Sequence, residues 1–287
     1  MTKFILGTAN FNRSYHSLAK NKINAEKISK IISFAQKKNI NHIDTAKSYL
    51  GVEQILGKYL NKSKAPTIDS KISQENTSSI NSIVKSIEES IKLLGVPRLS
   101  TIYIHDSELV LGEKSEIVRK ALEKTLELEL VSHLGVSVYN TNDLINCKLR
   151  FPSLTRFQIN DNICDRRSLR QTQLIELAND GNVINVRSIF LKGLLLTKPE
   201  NLPKKFKKAY KQLDKLNKFA LQHNVSVLDL CVAYSKSIPW ANGIVVGVDS
   251  EEQLAEILNS NFILPKNWDE FISSLPDQFL DPRLWKL

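Results

Sequence analysis

The chain has 287 residues, of which 42% are hydrophobic and 24% charged, a composition typical of a globular protein with a large core. Its formal net charge of +10 at pH 7 raises the possibility of a nucleic acid, an anionic membrane or an anionic ligand as partner. Lysines are spread along the chain without the interleaved aromatic residues of a base-stacking platform, which favours a lysine-rich surface and no nucleic-acid partner.

The sequence shows no membrane-spanning segment, no secretion signal and no metal-binding motif. No uninterrupted apolar run reaches the roughly 18 residues that a membrane helix needs, and no signal peptide precedes the first strand. Cys147, Cys164 and Cys231 are far apart and match no metal-ligand spacing, so we interpret them as reduced structural thiols. We therefore expect a cytoplasmic protein without a metal site; its oligomeric state stays open, because no sustained heptad appears.

Short apolar runs alternate with segments of helical periodicity through the first half of the chain. The predicted strands are 4–6, 40–43, 66–71 and 99–104. The predicted helices are 24–38, with Asn24 as N-cap, then 52–60, 77–94 and 116–130. Between the first strand and the first helix, the polar and irregular segment 11–22 is predicted to be a loop.

The alternation continues in the second half. The predicted strands are 133–138, 154–159, 183–186 and 244–246. The predicted helices are 142–147, 168–179, 203–223, 226–237 and 250–258. Eight strand–helix units without a Pro/Gly/Ser linker predict an α/β protein, a single (β/α)8 TIM barrel over residues 1–287. The aromatic tail, 262–287, is predicted to fold back over the barrel, near its mouth.

Four polar residues fall at the C-terminal ends of three successive predicted strands, where barrel enzymes keep their chemistry. Asp44 and Tyr49 follow the second strand, Lys71 ends the third and His105 follows the fourth. A phenol, with a free pKa of about 10, becomes a useful proton donor when a cation lies close to it. Each residue alone also fits an ordinary structural role, but the four together favour a catalytic site.

Short segments that run in one order over most of the chain match a known family. They are Leu6-Gly7-Thr8-Ala9, Asp44-Thr45-Ala46 with Tyr49, Glu53 with Leu56-Gly57, Ser70-Lys71, His105-Asp106, Leu134-Gly135-Val136-Ser137 and Phe157-Gln158. On these residues the chain resembles the aldo-keto reductases, nicotinamide-dependent carbonyl reductases built on a (β/α)8 barrel. Members of that family often begin with a hairpin that plugs the barrel floor, which we expect to be missing or replaced here.

The resemblance implies a role for each of the four residues. Tyr49 would protonate the carbonyl oxygen, and Lys71 would lower the pKa of that phenol. Asp44 would pair with Lys71, while His105 would hydrogen-bond the substrate oxygen and orient it. The expected reaction is reduction of an aldehyde or ketone to an alcohol.

The hydride must come from a cofactor, because no side chain donates one. The glycines form neither G-x-G-x-x-G nor a phosphate-loop pattern, so the resemblance implies NADP(H) or NAD(H) extended across the barrel top rather than a Rossmann domain. The implied contacts are Gly7, Thr8 and Ala9 beneath the nicotinamide, Ser137 and Gln158 at its carboxamide with Asn160 in support, Arg187 and Ser188 beside the ring, Leu191, Lys192 and Gly193 at the pyrophosphate, and Gly247, Ser250, Gln253 and Glu256 around the adenosine.

Three departures from the family pattern concern the cofactor. Val138 stands where the family commonly has Asn, so one carboxamide contact is lost unless a water or Asn140 replaces it. Arg187 replaces an aromatic ring; its planar guanidinium either stacks on the nicotinamide or forms a salt bridge. Segment 247–250 lacks the cation that NADPH-preferring members have there, and it adds the negative charge of Asp249. A helix N-terminus is then left to bind the 2′-phosphate of NADPH. The choice between NADPH and NADH therefore stays open.

Segments 135–139 and 187–191 resemble bacterial members linked to surface-carbohydrate synthesis, so a sugar-derived carbonyl is the preferred small-molecule substrate. Two other functions stay open: a nucleotide-sensing regulatory subunit that retains the barrel with little catalysis, and an unrelated barrel lyase or isomerase. We interpret His42 and His133 as packing residues. For the pair Arg166 and Arg167 we favour a structural role over an anionic-substrate site.

Overall fold

The computed structural model describes residues 3–11, 23–165, 167 and 172–285. Eight parallel strands form a closed barrel in sequence order, and β1 pairs with both β2 and β8. They are β1 (Lys3–Gly7), β2 (His42–Asp44), β3 (Thr67–Ile72), β4 (Leu99–Ile104), β5 (Val131–Val138), β6 (Leu154–Asn160), β7 (Val183–Arg187) and β8 (Gly243–Gly247). The predicted (β/α)8 barrel is confirmed.

Helices connect successive strands and pack against their neighbours, α1 against α2 and α10, and α3 against α2 and α5. They are α1 (Ala25–Lys37), α2 (Val52–Tyr59), α3 (Ile80–Leu94), α4 (Glu108–Leu111), α5 (Ser115–Glu127), α6 (Thr141–Arg150), α7 (Thr172–Asn179), α8 (Tyr210–Gln222), α9 (Val227–Ser237), α10 (Glu251–Asn259), α11 (Trp268–Phe271) and α12 (Asp277–Leu280). No helix in the described ranges is both long and apolar enough to span a membrane.

Helix α3 shows how local sequence sets an element. Ser79 and Ser82 form a reciprocal capping box at its start, and Gly95 ends it in the left-handed conformation. Between these signals Ile83 and Ile87 are buried on one face, as the helical spacing of apolar residues predicts. The helix therefore begins at Ile80 rather than at residue 77, which directly follows a separate 3-10 turn, Gln74–Asn76.

Several predicted element boundaries were wrong. The helix predicted at 116–130 ends at Glu127, because the chain turns through Glu129 at a φ of 55°. The long helix at 203–223 is a 3-10 segment, Lys204–Ala209, followed by α8. The short helix at 142–147 extends over Thr141–Arg150, and β2 includes Asp44 as its last residue.

Some predictions fall on residues outside the described ranges. The loop at 11–22 is described only at Phe11, which ends a 3-10 turn and is buried. Arg166 and the first residues of the helix predicted at 168–179 lie outside as well. Arg167 is described and forms an ion pair of 2.7 Å with the buried Asp165, which agrees with a structural role. Within the described residues no hairpin lies beneath the barrel.

The C-terminal tail returns to the end of the barrel at which the strands finish. The backbone nitrogen of Leu275 donates to the carbonyl of Cys164, and the Asn160 amide donates to the carbonyl of Leu280. Trp285 is buried against the ring of Phe206, with ring centroids 4.8 Å apart. The tail therefore closes part of the barrel mouth, as predicted.

Candidate active site

The four predicted catalytic residues come together at the barrel mouth. Asp44 is the last residue of β2, Lys71 lies in β3 and His105 directly follows β4. Tyr49 lies in the turn between β2 and α2, where its backbone nitrogen donates to the carbonyl of Ala46. Because the barrel is parallel, these positions share one end of it.

Lys71 and Asp44 form a buried ion pair inside the barrel. The Lys71 Nζ donates to Asp44 Oδ1 at 2.6 Å and to the Thr45 carbonyl at 2.9 Å. The Gln158 amide donates to the same carboxylate oxygen of Asp44 at 2.5 Å. Burial lowers the pKa of Lys71, whereas the charge and hydrogen bond of Asp44 oppose that shift.

The Tyr49 ring lies beside this ion pair. Its centroid is 5.9 Å from Lys71 Nζ and 6.2 Å from the centroid of the His105 imidazole, which meets it edge to face. Gly51, just beyond Tyr49, has a φ of 77° and starts α2 in the left-handed conformation. The turn thus directs the phenol back towards β3 and β4 rather than along the helix.

His105 is neutral at physiological pH. Burial lowers the pKa of its imidazole to about 3, and the positive charges of Lys71 and Arg187 act in the same direction. A neutral imidazole has one nitrogen that donates a hydrogen bond and one that accepts. His105 can therefore hydrogen-bond a carbonyl oxygen without carrying a full charge.

Tyr103 forms the floor of the site, which sequence reasoning did not identify. It is in register with Lys71, whose Nζ lies 6.0 Å from the centroid of the buried ring. A Cβ added to Gly135 in β5 would lie 2.6 Å from two ring carbons of Tyr103 and 2.6 Å from the carbonyl oxygen of Arg156. Gly135, present in the matching segments, is thus needed for this ring to fit.

The predicted carboxamide contacts also meet, with Arg187 among them. The Arg187 guanidinium donates to Ser137 Oγ at 3.2 Å, to the Val138 carbonyl at 3.2 Å and, over a short distance, to Asn160 Oδ1. Gln158 is fully buried, and its Oε1 has no hydrogen-bond partner among the described residues. That oxygen can accept a hydrogen bond from a bound amide.

Asn140 does not replace the missing amide of Val138. Its side chain accepts from the backbone nitrogen of Asp143 at 2.8 Å and donates to the Asp143 carboxylate at 3.1 Å, which makes it the N-cap of α6. Local helix geometry thus disfavours Asn140 as the replacement contact.

Arg187 and Arg283 both lie over the ring of Tyr139, with distances from Cζ to the centroid of 4.4 Å and 3.7 Å. Arg283 is held in the tail by Asp281 at 2.7 Å, whereas Arg187 forms no ion pair with a described carboxylate. The salt bridge considered for Arg187 is thus absent from the described residues, and the guanidinium is held by neutral groups and a ring.

The loop after β7 has an unusual backbone. Ser188, Leu191, Lys192 and Gly193 all have φ values between 49° and 86°, a region that residues other than glycine seldom adopt. Leu191 is buried, while the other three are partly exposed at the mouth. The backbone nitrogens of Leu191 and Gly193 donate to the carbonyls of Ser188 and Phe190, so these N–H groups are used inside the loop.

The residues matched to the adenosine end lie around the start of α10. Ser250 caps α10 by accepting from the nitrogen of Gln253, and the Gln253 side chain accepts from the nitrogen of Asp249. Asn10 donates to Asp249 at 2.8 Å. Burial raises the pKa of Asp249, while Asn10 and the positive charge of Lys27 in α1 oppose that shift.

The remaining matched residues lie along the same rim. Gly7 ends β1 with no room for a side chain, since an added Cβ would be 2.9 Å from Val245 Cγ1. The Thr8 hydroxyl and nitrogen both donate to the Asp44 carbonyl at 3.0 Å, and Ala9 follows. Gly247 ends β8, and Glu256 is exposed on α10.

A parallel barrel with a buried lysine–carboxylate pair, a phenol and a neutral histidine at its mouth defines an oxidoreductase that uses a nicotinamide cofactor. The residues fit that cofactor, because Gln158 has a buried acceptor oxygen without a hydrogen-bond partner among the described residues, which a carboxamide N–H group can fill. The sequence model of the aldo/keto reductase family matches residues 3–271, nearly the whole chain. The chain belongs to this family.

Solved structures agree in fold. An aldo-keto reductase from Bacillus halodurans, AKR11C1 in its holo form, aligns with a TM-score of 0.75 and 17% identity over 97% of this chain and 95% of that one. The thermostable aldo-keto reductase Tm1743 aligns with a TM-score of 0.71 and 20% identity over 93% of this chain and 92% of that one. The glycerol dehydrogenase AKR11B4 from Gluconobacter oxydans aligns with a TM-score of 0.69 and 19% identity over 92% of this chain and 88% of that one. None of the curated protein sequences matches the chain.

Proposed function

We propose that this protein reduces an aldehyde or ketone to an alcohol and that Tyr49 supplies the proton. The observation that supports this most directly is the buried Lys71 ammonium group, held 2.6 Å from Asp44 and 5.9 Å from the centre of the Tyr49 ring. An ammonium group close to a phenol favours the phenolate and so makes the phenol a stronger acid. The site then has both a proton donor and the charge that activates it.

The four side chains divide the work on the substrate oxygen. As a hydride reaches the carbonyl carbon, negative charge develops on oxygen, which the Tyr49 hydroxyl and the His105 imidazole stabilise by hydrogen bonds. Tyr49 then gives its proton to that oxygen, and Lys71 stabilises the phenolate that remains. Asp44 keeps Lys71 in place, and Gln158 restrains the Asp44 carboxylate.

When bound, a nicotinamide cofactor supplies the hydride. Ser137 and Gln158 would hold its carboxamide, and Arg187 would lie beside the ring. The positive-φ loop, Leu191 to Gly193, would border the pyrophosphate, and the Lys192 side chain would meet its charge. Ser250, Gln253 and Glu256 would border the adenosine. Both NADPH and NADH remain compatible with these contacts.

We further propose a sugar-derived carbonyl as substrate and a single barrel domain over residues 1–287. The substrate proposal rests on the resemblance of segments 135–139 and 187–191 to bacterial members linked to surface carbohydrates. A structural relative is named as a glycerol dehydrogenase, and a polyhydroxylated substrate of that kind is in line with this proposal. A panel of aldoses, ketoses and simple aldehydes, assayed by cofactor oxidation, would test this preference.

The proposed mechanism is tested by Tyr49→Phe, with Tyr210→Phe on the exposed surface as the matched control. We expect Tyr49→Phe to lower kcat about 10²- to 10⁴-fold, because the proton donor is lost, with cofactor affinity nearly unchanged. The control should keep full turnover, measured as oxidation of NADPH or NADH at 340 nm. Equal turnover in both variants would contradict the role of Tyr49.

The alternative of a nucleotide-sensing subunit draws on one observation, the hydrogen bonds that Arg187 donates to Ser137 and Asn160, two residues matched to the carboxamide site. It predicts cofactor binding without turnover on the whole substrate panel. Turnover that depends on Tyr49 would exclude this alternative.

A further inference from the structure

A cavity of about 400 Å³ lies at the opposite end of the barrel from the proposed active site. Lys3 and His42 are the first residues of β1 and β2, and both line it. Asp69, Tyr103, His133 and Arg156 from β3 to β6 complete its charged and aromatic lining. Nothing in the proposed carbonyl reduction uses this cavity.

Tyr103 separates the two sites. The face of its ring lies 6.0 Å from Lys71 in the upper site, while the residue also lines the lower cavity. Burial and the negative charge of Asp69 raise the pKa of the Tyr103 phenol well above its usual value, so the hydroxyl stays protonated. A ligand in the lower cavity would therefore meet a neutral phenol and not the Lys71–Asp44 pair.

One carboxylate oxygen in the cavity wall lacks a hydrogen-bond partner in the described part of the chain. Asp69 is 1% exposed; its Oδ2 pairs with His42 Nε2 at 2.7 Å, but its Oδ1 has no hydrogen-bond partner among the described residues. The hydroxyl of the fully buried Tyr103 interacts with the side chain of Asn185, which also lines the cavity. A buried carboxylate oxygen without a donor is costly, and a bound hydroxyl or water removes that cost.

Positive charge exceeds negative charge around the cavity. Arg156 donates to His133 Nε2 at 2.9 Å and to the Thr155 carbonyl at 3.2 Å, and it forms no ion pair with a described carboxylate. Lys3 at the rim forms no ion pair among the described residues either. His42 pairs with Asp69: burial opposes its protonation, but the hydrogen bond and charge of Asp69 outweigh this and raise the His42 pKa. Two cations, Lys3 and Arg156, are left for an anion.

We propose that this cavity binds a small hydroxycarboxylate, whose carboxylate groups meet Arg156 and Lys3 and whose hydroxyl group donates to Asp69 Oδ1. The size of the cavity admits a four-carbon acid but not a nucleotide. His42 and His133, interpreted from sequence as packing residues, then belong to a binding site. This proposal does not depend on the reaction at the barrel mouth.

Isothermal titration calorimetry of the full chain with L-malate at low salt tests the proposal. We expect a dissociation constant of about 0.1–1 mM. Succinate, which lacks the hydroxyl group, should bind about tenfold more weakly, because Asp69 Oδ1 stays without a donor. Absence of heat up to about 10 mM malate, or inorganic phosphate binding as tightly as malate, would overturn the proposal.

Variants locate the bound acid. Arg156→Gln should weaken malate binding at least about tenfold, whereas the matched control Arg98→Gln, on the exposed surface, should not. Lys3→Gln, at the rim, should weaken it about threefold and remains informative if Arg156→Gln does not fold by circular dichroism. Loss of binding in Arg187→Gln with retention in Arg156→Gln would place the acid at the barrel mouth and overturn the proposal.

Discussion

His105 illustrates how one residue acquires its properties from neighbours that are distant in the chain. A histidine at a strand end is ordinary in sequence, with a free pKa of about 6.5. Here burial and the charges of Lys71 and Arg187 lower that pKa to about 3. The residue is thus a neutral hydrogen-bonding group at every pH at which the enzyme is expected to work.

This shift predicts a pH dependence of stability. The unfolded chain binds a proton at His105 below about pH 6.5, whereas the folded chain does so only near pH 3, so stability falls as pH decreases through this interval. The contribution from His105 amounts to at most about 2.6 kcal/mol between pH 7.5 and 4.5.

Urea unfolding of the wild type and of His105→Gln at the two pH values measures the effect. The variant should lose less stability on acidification than the wild type. Identical slopes in the two proteins would mean that His105 is protonated in the folded state at mildly acidic pH.

Gly135 is a second residue whose role depends on a partner across the barrel. Gly135→Ala places a Cβ 2.6 Å from the Tyr103 ring, so either the ring or the strand must move. We expect a loss of about 1–3 kcal/mol in the free energy of unfolding. The control is Gly247→Ala, where the nearest atoms would lie at an ordinary 3.6 Å. Equal stability of the two variants in urea would refute this packing argument.

At the scale of elements, the start of α10 is where we propose that the choice between NADPH and NADH is made. Sequence inspection found no cation in segment 247–250, but folding brings α1 against α10, and the charge of Lys27 then acts on Asp249. A cation from another helix can therefore pair with a 2′-phosphate, although segment 247–250 itself contains no cation. The negative charge of Asp249 opposes such binding.

Asp249→Asn should consequently tighten NADPH binding about three- to tenfold and change NADH binding less than about twofold. Lys27→Gln should have the opposite effect on NADPH. Both affinities follow from fluorescence titration. Parallel changes for the two cofactors would show that the 2′-phosphate binds elsewhere.

The N-cap of α6 gives a second prediction at this scale. Asn140→Ala removes the hydrogen bond to the nitrogen of Asp143 and should cost about 1 kcal/mol of stability. Cofactor affinity should stay unchanged, because Asn140 serves the helix. A weaker cofactor titration without loss of stability would instead restore Asn140 as a carboxamide contact.

For the whole molecule, the packing of the C-terminal tail contributes to stability and also positions a side chain at the barrel mouth. Trp285 packs on Phe206, and Arg283, two residues earlier, lies over Tyr139 beside Arg187. The aromatic contact therefore holds in place a cation that borders the proposed substrate site.

Trp285→Ala should lower the free energy of unfolding by about 3 kcal/mol through the cavity that it leaves. Leu284→Ala is the neighbouring control, because that side chain is 64% exposed. Thermal or urea unfolding distinguishes the two. An equal loss of unfolding free energy in the two variants would indicate that Trp285 is not packed against Phe206 in solution.

The sequence alone determined the eight alternating strands and helices, and with them the closed barrel, because hydrophobic periodicity and caps such as Asn24 and Ser250 act over a few residues. It also determined the order of Asp44, Tyr49, Lys71 and His105, since parallel strands bring their ends to one rim. Boundaries were less predictable where 3-10 turns compete with helix, as at Lys204–Ala209.

Only the tertiary structure decided what Arg187 contacts, why Gly135 must be glycine and that Lys27 acts at α10. It also decided that Asp69 and Arg156 share a cavity beneath Tyr103. Each of these facts joins residues from different strands or helices, at distances of a few ångströms. Such contacts leave no periodic trace in the chain, because they depend on how the barrel closes and which side chains its interior can hold.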